Sequence, residues 1–237
     1  TLSINPETFT NTGTLRASNN GRLSLYNDWD NNGTIELDGA RLYLYGNFTT
    51  ADLNQPSFIR GVGSSVYLGG ALDNTGGTLQ EIGAIDFTGG SVTGGTSHVD
   101  FNATGNSSEF ADGVTLVADL NIGGNDSFLI VNGLTLNGTA NLTGNSSTLD
   151  FDGTQGLAAS VGNTATVNLG YSNSQVRVIN GGTLTLDSTV VVAGQGYVSG
   201  HGSGNTIHNN GLIHADQSGG TLSINPETFT NTGTLRA

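Results

Sequence analysis

The chain has 237 residues, with no cysteine and no methionine, six arginines as its only strong bases, 19 acids and a formal charge of -13. Only 11% of residues are charged, where folded domains carry about 25%, and glycine numbers 38. Disulfide frameworks and thiolate metal sites are thereby excluded. The charge opposes nucleic-acid backbones and anionic lipid, so no nucleic-acid partner is expected, and no apolar run of about 18 residues predicts membrane insertion.

The first segment, TLSINPETFTNTGTLRA over residues 1–17, pairs a short alternating strand, Thr1-Leu2-Ser3-Ile4, with the corner Asn11-Thr12-Gly13. The strand recurs as Arg22-Leu23-Ser24-Leu25 and Arg41-Leu42-Tyr43-Leu44, and the corner as Asn31-Asn32-Gly33. Alternation of period two means strand with one buried face. A spacing of about 20 residues between equivalent leucines predicts one rung of a parallel β-helix. Asn and Gly at the corners are expected because both tolerate left-handed backbone, and Pro6, Pro56 and Pro226 are expected between strands because each would remove a ladder donor.

Two groups of side chains in this region invite ligands. Asp28-x-Asp30-x-Asn32-Gly33, followed by Glu36, matches the opening of a calcium loop. The twelfth position is Gly39, however, and the equivalent corner at Asn11 carries no acid, so the favoured reading is a solenoid turn with calcium as the alternative. Tyr43 and Tyr45 should point outward beside Arg41, with Tyr26 and Trp29 one rung earlier; the favoured reading is that tyrosine suits a half-buried strand surface, with a patch on which a glycan could stack as the alternative. Arg22 and Arg41 near Asp28, Asp30 and Glu36 form the one region where acid–base chemistry could be drawn, and a solvated face of mixed sign explains the same residues.

Further along, residues 84–165 are less regular, but Ile85-Asp86-Phe87, Val99-Asp100-Phe101 and Leu149-Asp150-Phe151 share a strand pattern and place this stretch in the same solenoid. Leu134/Leu136 and Leu184/Leu186 continue the alternation. Gly123-Gly124-Asn125-Asp126 resembles one unit of a calcium β-roll but stands alone, and that architecture needs stacked copies. His98, His201, His208 and His214 have no ligand spacing. The corner returns at Asn209-Asn210-Gly211, and residues 221–237 repeat residues 1–17 without change. This predicts a 220-residue module, 1–220, followed by the start of an identical one, 221–237, in a rod with an axial period of about 53 Å at ~4.8 Å per rung.

TFTNTGTLRA, WDNNGTIEL and HNNGLIHAD resemble the coils of large bacterial surface proteins, autotransporter-like and filamentous haemagglutinin-like adhesins. The resemblance implies a right-handed parallel β-helix, export to the cell surface, and a scaffolding or adhesive role; it carries no catalytic residue. No nucleophile elbow, phosphate loop or cysteine nucleophile is present. The expectation is therefore a non-enzymatic, extracellular structural module whose partners are copies of itself end to end, with glycan or host-surface binding as the alternative.

Overall fold

A computed structural model describes residues 1–105 and 108–237 as an all-β parallel solenoid of about 11 turns, averaging about 21 residues per turn. Each coil contributes three short strands, one to each of three faces. Among the described residues, the first face is a 12-stranded sheet from Leu2–Ile4 to Thr234–Arg236, and the second an 11-stranded sheet from Thr8–Asn11 to Leu222–Asn225. The third face is divided into a 3-stranded sheet, Thr14–Ser18 to Phe58–Arg60, and an 8-stranded one, Thr78–Leu79 to Thr228–Asn231. Every pairing between coils is parallel, as stacked coils running in one direction require.

The alternation seen in the sequence sets which side chains enter the core. Along the first face Leu23, Leu42, Val66, Ile85, Phe101 and Leu120 are in register and buried, with a second inward column through Leu25, Leu44, Leu68 and Phe87. Leu134/Leu136 and Leu184/Leu186 do the same on the third face. Coil length varies widely: Ile85 pairs with Phe101, 16 positions on, while Ala140 pairs with Val167, 27 positions on. Beside the short coil the interior is filled by aromatic rings. Phe87, Phe101, Phe110 and Phe128 form a chain of tilted and edge-to-face contacts with centroids 4.8–5.2 Å apart, the geometry that ring quadrupoles favour. The described residues between 84 and 165 thus belong to the same solenoid, although the three Asp-Phe motifs are not equivalent. Ile85–Phe87 lies on the first face, Thr148–Asp152 on the second, and Val99-Asp100 precedes the strand Phe101–Ala103.

The Asn-x-Gly corners form for a reason other than left-handed backbone. Asn11, Asn31, Asn209 and Asn231 are strand-terminal residues without positive φ, and neither Gly13 nor Gly33 has positive φ. The Asn11 amide closes its own turn, donating to the Gly13 carbonyl at 3.3 Å and accepting from the Gly13 N–H at 3.2 Å. It also donates to Asn31 Oδ1 in the next coil at 2.6 Å. A Cβ at Gly33 would overlap the Gly13 backbone, so glycine is required there by the close axial approach of adjacent corners. Left-handed residues lie at other turns, among them Asn27 and Gly46. The prolines fall between strands as expected, with Pro56 inside a short 3₁₀ turn, Gln55–Ser57.

That turn, with the preceding Ala51–Leu53, lengthens the third coil and interrupts the third face. Side chains close the seam. Arg60 donates through Nη1 to the carbonyls of Ile82 (2.9 Å) and Ala84 (2.7 Å), and through Nε to that of Ser64 (3.1 Å). Gln55 donates to the Thr78 carbonyl and accepts from the Gln80 N–H, bonding to that segment as a strand would. Leu53, Leu79 and Ile82 stay fully buried beneath it.

Candidate functional site

The outward aromatic residues form axial stacks. Tyr43 and Tyr67 are in register on the first face with centroids 4.5 Å apart and planes 14° apart. Tyr26 stacks on Tyr45 at the adjoining corner at 4.7 Å. The Arg22 guanidinium lies 3.8 Å above the Tyr43 ring and bonds Ser24 Oγ (2.9 Å) and the Tyr45 hydroxyl (3.4 Å). Tyr43 is therefore covered on both faces. Tyr45 is flanked by Tyr26 on one face and packs closely against Gly69. Tyr43 thus offers a sugar no open ring face. Arg41 is in register with Arg22 and exposed. Trp29 is not part of this surface: it is 3% exposed, stacks on Phe48 at 4.6 Å, and donates from Nε1 to the Tyr45 carbonyl at 3.2 Å. The alternation of Asp28-Trp29-Asp30-Asn31 explains this, since two outward aspartates turn the tryptophan inward.

The calcium candidates are divided between two faces. Asp28 and Asp30 point outward from the second face, whereas Glu36 lies on the third, 3.5 Å from Arg16. Asn32 occupies the corner between them and gives its backbone N–H to the Asn11 carbonyl. Among the described residues no three acidic or histidine side chains are grouped closely enough to hold a metal ion. The acid–base grouping of Arg22 and Arg41 with Asp28, Asp30 and Glu36 is likewise dispersed around the corners, the arginines on the first face, the aspartates on the second and Glu36 on the third.

Asp28 and Asp30 instead border a groove of about 490 Å³ on the second face, lined also by Thr8, Asn47, Asp52 and Asp73. It lies where the second sheet is weakest. The strands Asp28–Asn31 and Asn47–Thr49 are in register only at Asp28 and Asn47, and the Thr49 N–H turns to the Asp52 carboxylate at 2.7 Å. Asn47 bridges to Asp28 Oδ1 at 3.2 Å. The hydroxyl and backbone N–H of Thr75 hold the Asp73 carboxyl below its ordinary pKa.

Two further outward features are not evident from the sequence reading. On the first face, in the same column as Tyr43 and Tyr67, Asp86, Asn102, Asn121, Asn141 and Asn168 form a ladder. Each asparagine donates to the residue one coil before it at 2.8–3.0 Å. The signal is an Asn between two apolar residues in FNA, LNI, ANL and VNL. On the second face Arg177 grips Asp150 with both ends of its guanidinium, at 2.6 and 2.7 Å, with both side chains largely buried. The pair spans 27 positions, and no local pattern joins them.

Comparison with known proteins yields no match: no family model fits the chain, and no curated protein or solved structure is significantly similar to it. The fold defines the class, a parallel β-solenoid.

Proposed function

We propose that the chain is a structural module of an extracellular bacterial rod or filament, repeated in tandem, whose role is length, stiffness and surface presentation. The observation that carries this reading is a first face hydrogen-bonded without interruption over 12 strands, combined with an identical 17-residue segment at each end. Coils that bury apolar residues only against their neighbours add stability along the axis and extend without limit. Leu2 and Leu235 are about half exposed, at 52% and 49%, and the far end opens into an apolar hollow of about 250 Å³ lined by Ile213, Leu222, Ile224 and Leu235. In an array a preceding coil would cover Leu2 and a following coil would cover Leu235 and the hollow. Electron microscopy of the full-length parent protein tests the reading. A thin rod with a ~4.8 Å axial spacing is expected, and a compact particle would refute it.

The groove on the second face favours a second reading, in which the same rod binds a glycan. Its carboxylates accept hydrogen bonds from sugar hydroxyls, and Thr8, Asn47 and Thr49 can exchange them. Glycan-array binding that disappears in Asp30→Ala with the thermal midpoint unchanged would support it. Absence of binding in the unaltered protein would remove it.

A further inference from the structure

The two identical 17-residue segments occupy different faces. In the first copy, Leu2–Ile4 lies on the first face, Thr8–Asn11 on the second and Thr14–Ser18 on the third. In the second copy the same residues, as Leu222–Asn225, Thr228–Asn231 and Thr234–Arg236, lie on the second, third and first faces in that order. All three strands shift by one face in the same sense. Counted among the described residues, the chain advances 31 strands between the copies, which is ten complete coils and one third of the next.

The shifted copy keeps most of the same contacts. Asn231 donates to the Gly233 carbonyl at 3.2 Å, as Asn11 does to Gly13 at 3.3 Å. Asn209 donates to Asn231 Oδ1 at 2.7 Å, as Asn11 does to Asn31 at 2.6 Å. A Cβ at Gly233 would overlap the Gly211 carbonyl, just as one at Gly33 would overlap that of Gly13. The first pair of corners joins the second face to the third, and the last pair joins the third face to the first. The corner motif therefore forms at either junction, with one difference: the Gly233 N–H bonds the Asn209 carbonyl, where the Gly13 N–H bonds the Asn11 side chain, and Asn209 Oδ1 is left buried without a partner among the described residues.

We infer that a tandem array of these modules is a three-fold screw: each module enters the rod rotated by one face, and equivalent faces realign only after three modules. This rests on the tandem reading proposed above. At ~4.8 Å per coil, a module of ten and one third coils rises about 50 Å and the full screw repeats after about 150 Å. The tyrosine and asparagine column of the first face and the groove of the second would each appear in turn on all three sides. The rod then has no blank side, and it contacts neighbouring rods or ligands in three directions, unlike a ribbon with one functional face.

The test is a single chain of three modules, each equivalent to residues 1–220, ending in residues 221–237. Val161 is fully exposed and the chain has no cysteine, so Val161→Cys in each module gives three labelling points for maleimide-linked gold in cryo-electron microscopy. Labels about 50 Å apart along a rod and displaced by about a third of a turn each time support the screw. A rod with all labels along one side overturns the screw and leaves the structural proposal standing. Separate or compact particles overturn the structural proposal and the screw with it. Averaging an unlabelled array provides an independent readout, a repeat of about 150 Å if the screw holds against one of about 50 Å if it does not.

Discussion

The first and third faces are built from the same kind of strand, yet one runs unbroken through 12 strands and the other stops after Phe58–Arg60 and resumes at Thr78–Leu79. On the first face, consecutive coils meet through backbone hydrogen bonds, and outward side chains such as Tyr43, Asn121 and Asn141 stack on top of that ladder. At the seam of the third face the two 3₁₀ turns displace the strand, and Arg60 and Gln55 take over the bonding to the next coil. A solenoid can thus tolerate an insertion on one side if its other faces keep their register and side chains satisfy the freed carbonyls. The second face shows an intermediate case at the groove, where a single register pair and the Asn47–Asp28 side-chain bond join adjacent coils while the Asp52 carboxylate takes the Thr49 N–H within its own coil.

The comparison is broken most completely at a corner that leads from the continuous face to the second. Gly46 has φ +74°, and a Cβ there would overlap the Asn27 backbone. Gly46→Ala should cost about 4 kcal/mol or more, seen as loss of the cooperative circular-dichroism transition at ordinary temperature. Next comes the core: Phe101→Ala, which empties the centre of the ring cluster, should destabilise by about 3–5 kcal/mol in chemical denaturation. A smaller effect is expected at the seam. Arg60→Leu removes bonds to the carbonyls of Ile82 and Ala84 and should cost about 1.5–3 kcal/mol. Hydrogen exchange should accelerate in residues 78–84 while the first-face strands keep their protection; uniform acceleration would show that the seam is not an independent weak point.

The smallest effect is electrostatic. The backbone N–H and hydroxyl of Thr189 hold the Asp187 carboxyl below its ordinary pKa. A depressed carboxylate contributes stability above its unfolded pKa and loses it as pH falls through the folded one. The thermal midpoint should therefore decline below about pH 4, and Asp187→Asn should flatten that decline. Asp126 has the opposite sign: desolvation raises its pKa, so its ionisation weakens the fold as pH rises, and Asp126→Asn should relieve that loss.

Much of this architecture is legible in the residues themselves. Alternating leucines, glycine-rich corners and a spacing of about 20 residues report the strands, the turns and the length of a coil, because each depends on local pattern or its simple recurrence. Local pattern also contains the position of Trp29, between two outward aspartates, although its aromatic character suggests the surface. It does not reveal that Asp28 and Glu36 diverge around a corner, that Asp150 meets Arg177, or that the tyrosine rings cover one another. Those relations depend on how the chain turns and on residues from different coils, and the register between coils sums every insertion along the way.

The same sum governs the two identical segments. Sequence by itself determined that residues 1–17 and 221–237 form the same strands and corners, since each copy carries the same alternation and the same Asn-x-Gly turns. Only the tertiary structure decided that they lie on different faces, because coils of unequal length accumulate between them and no local signal records their total.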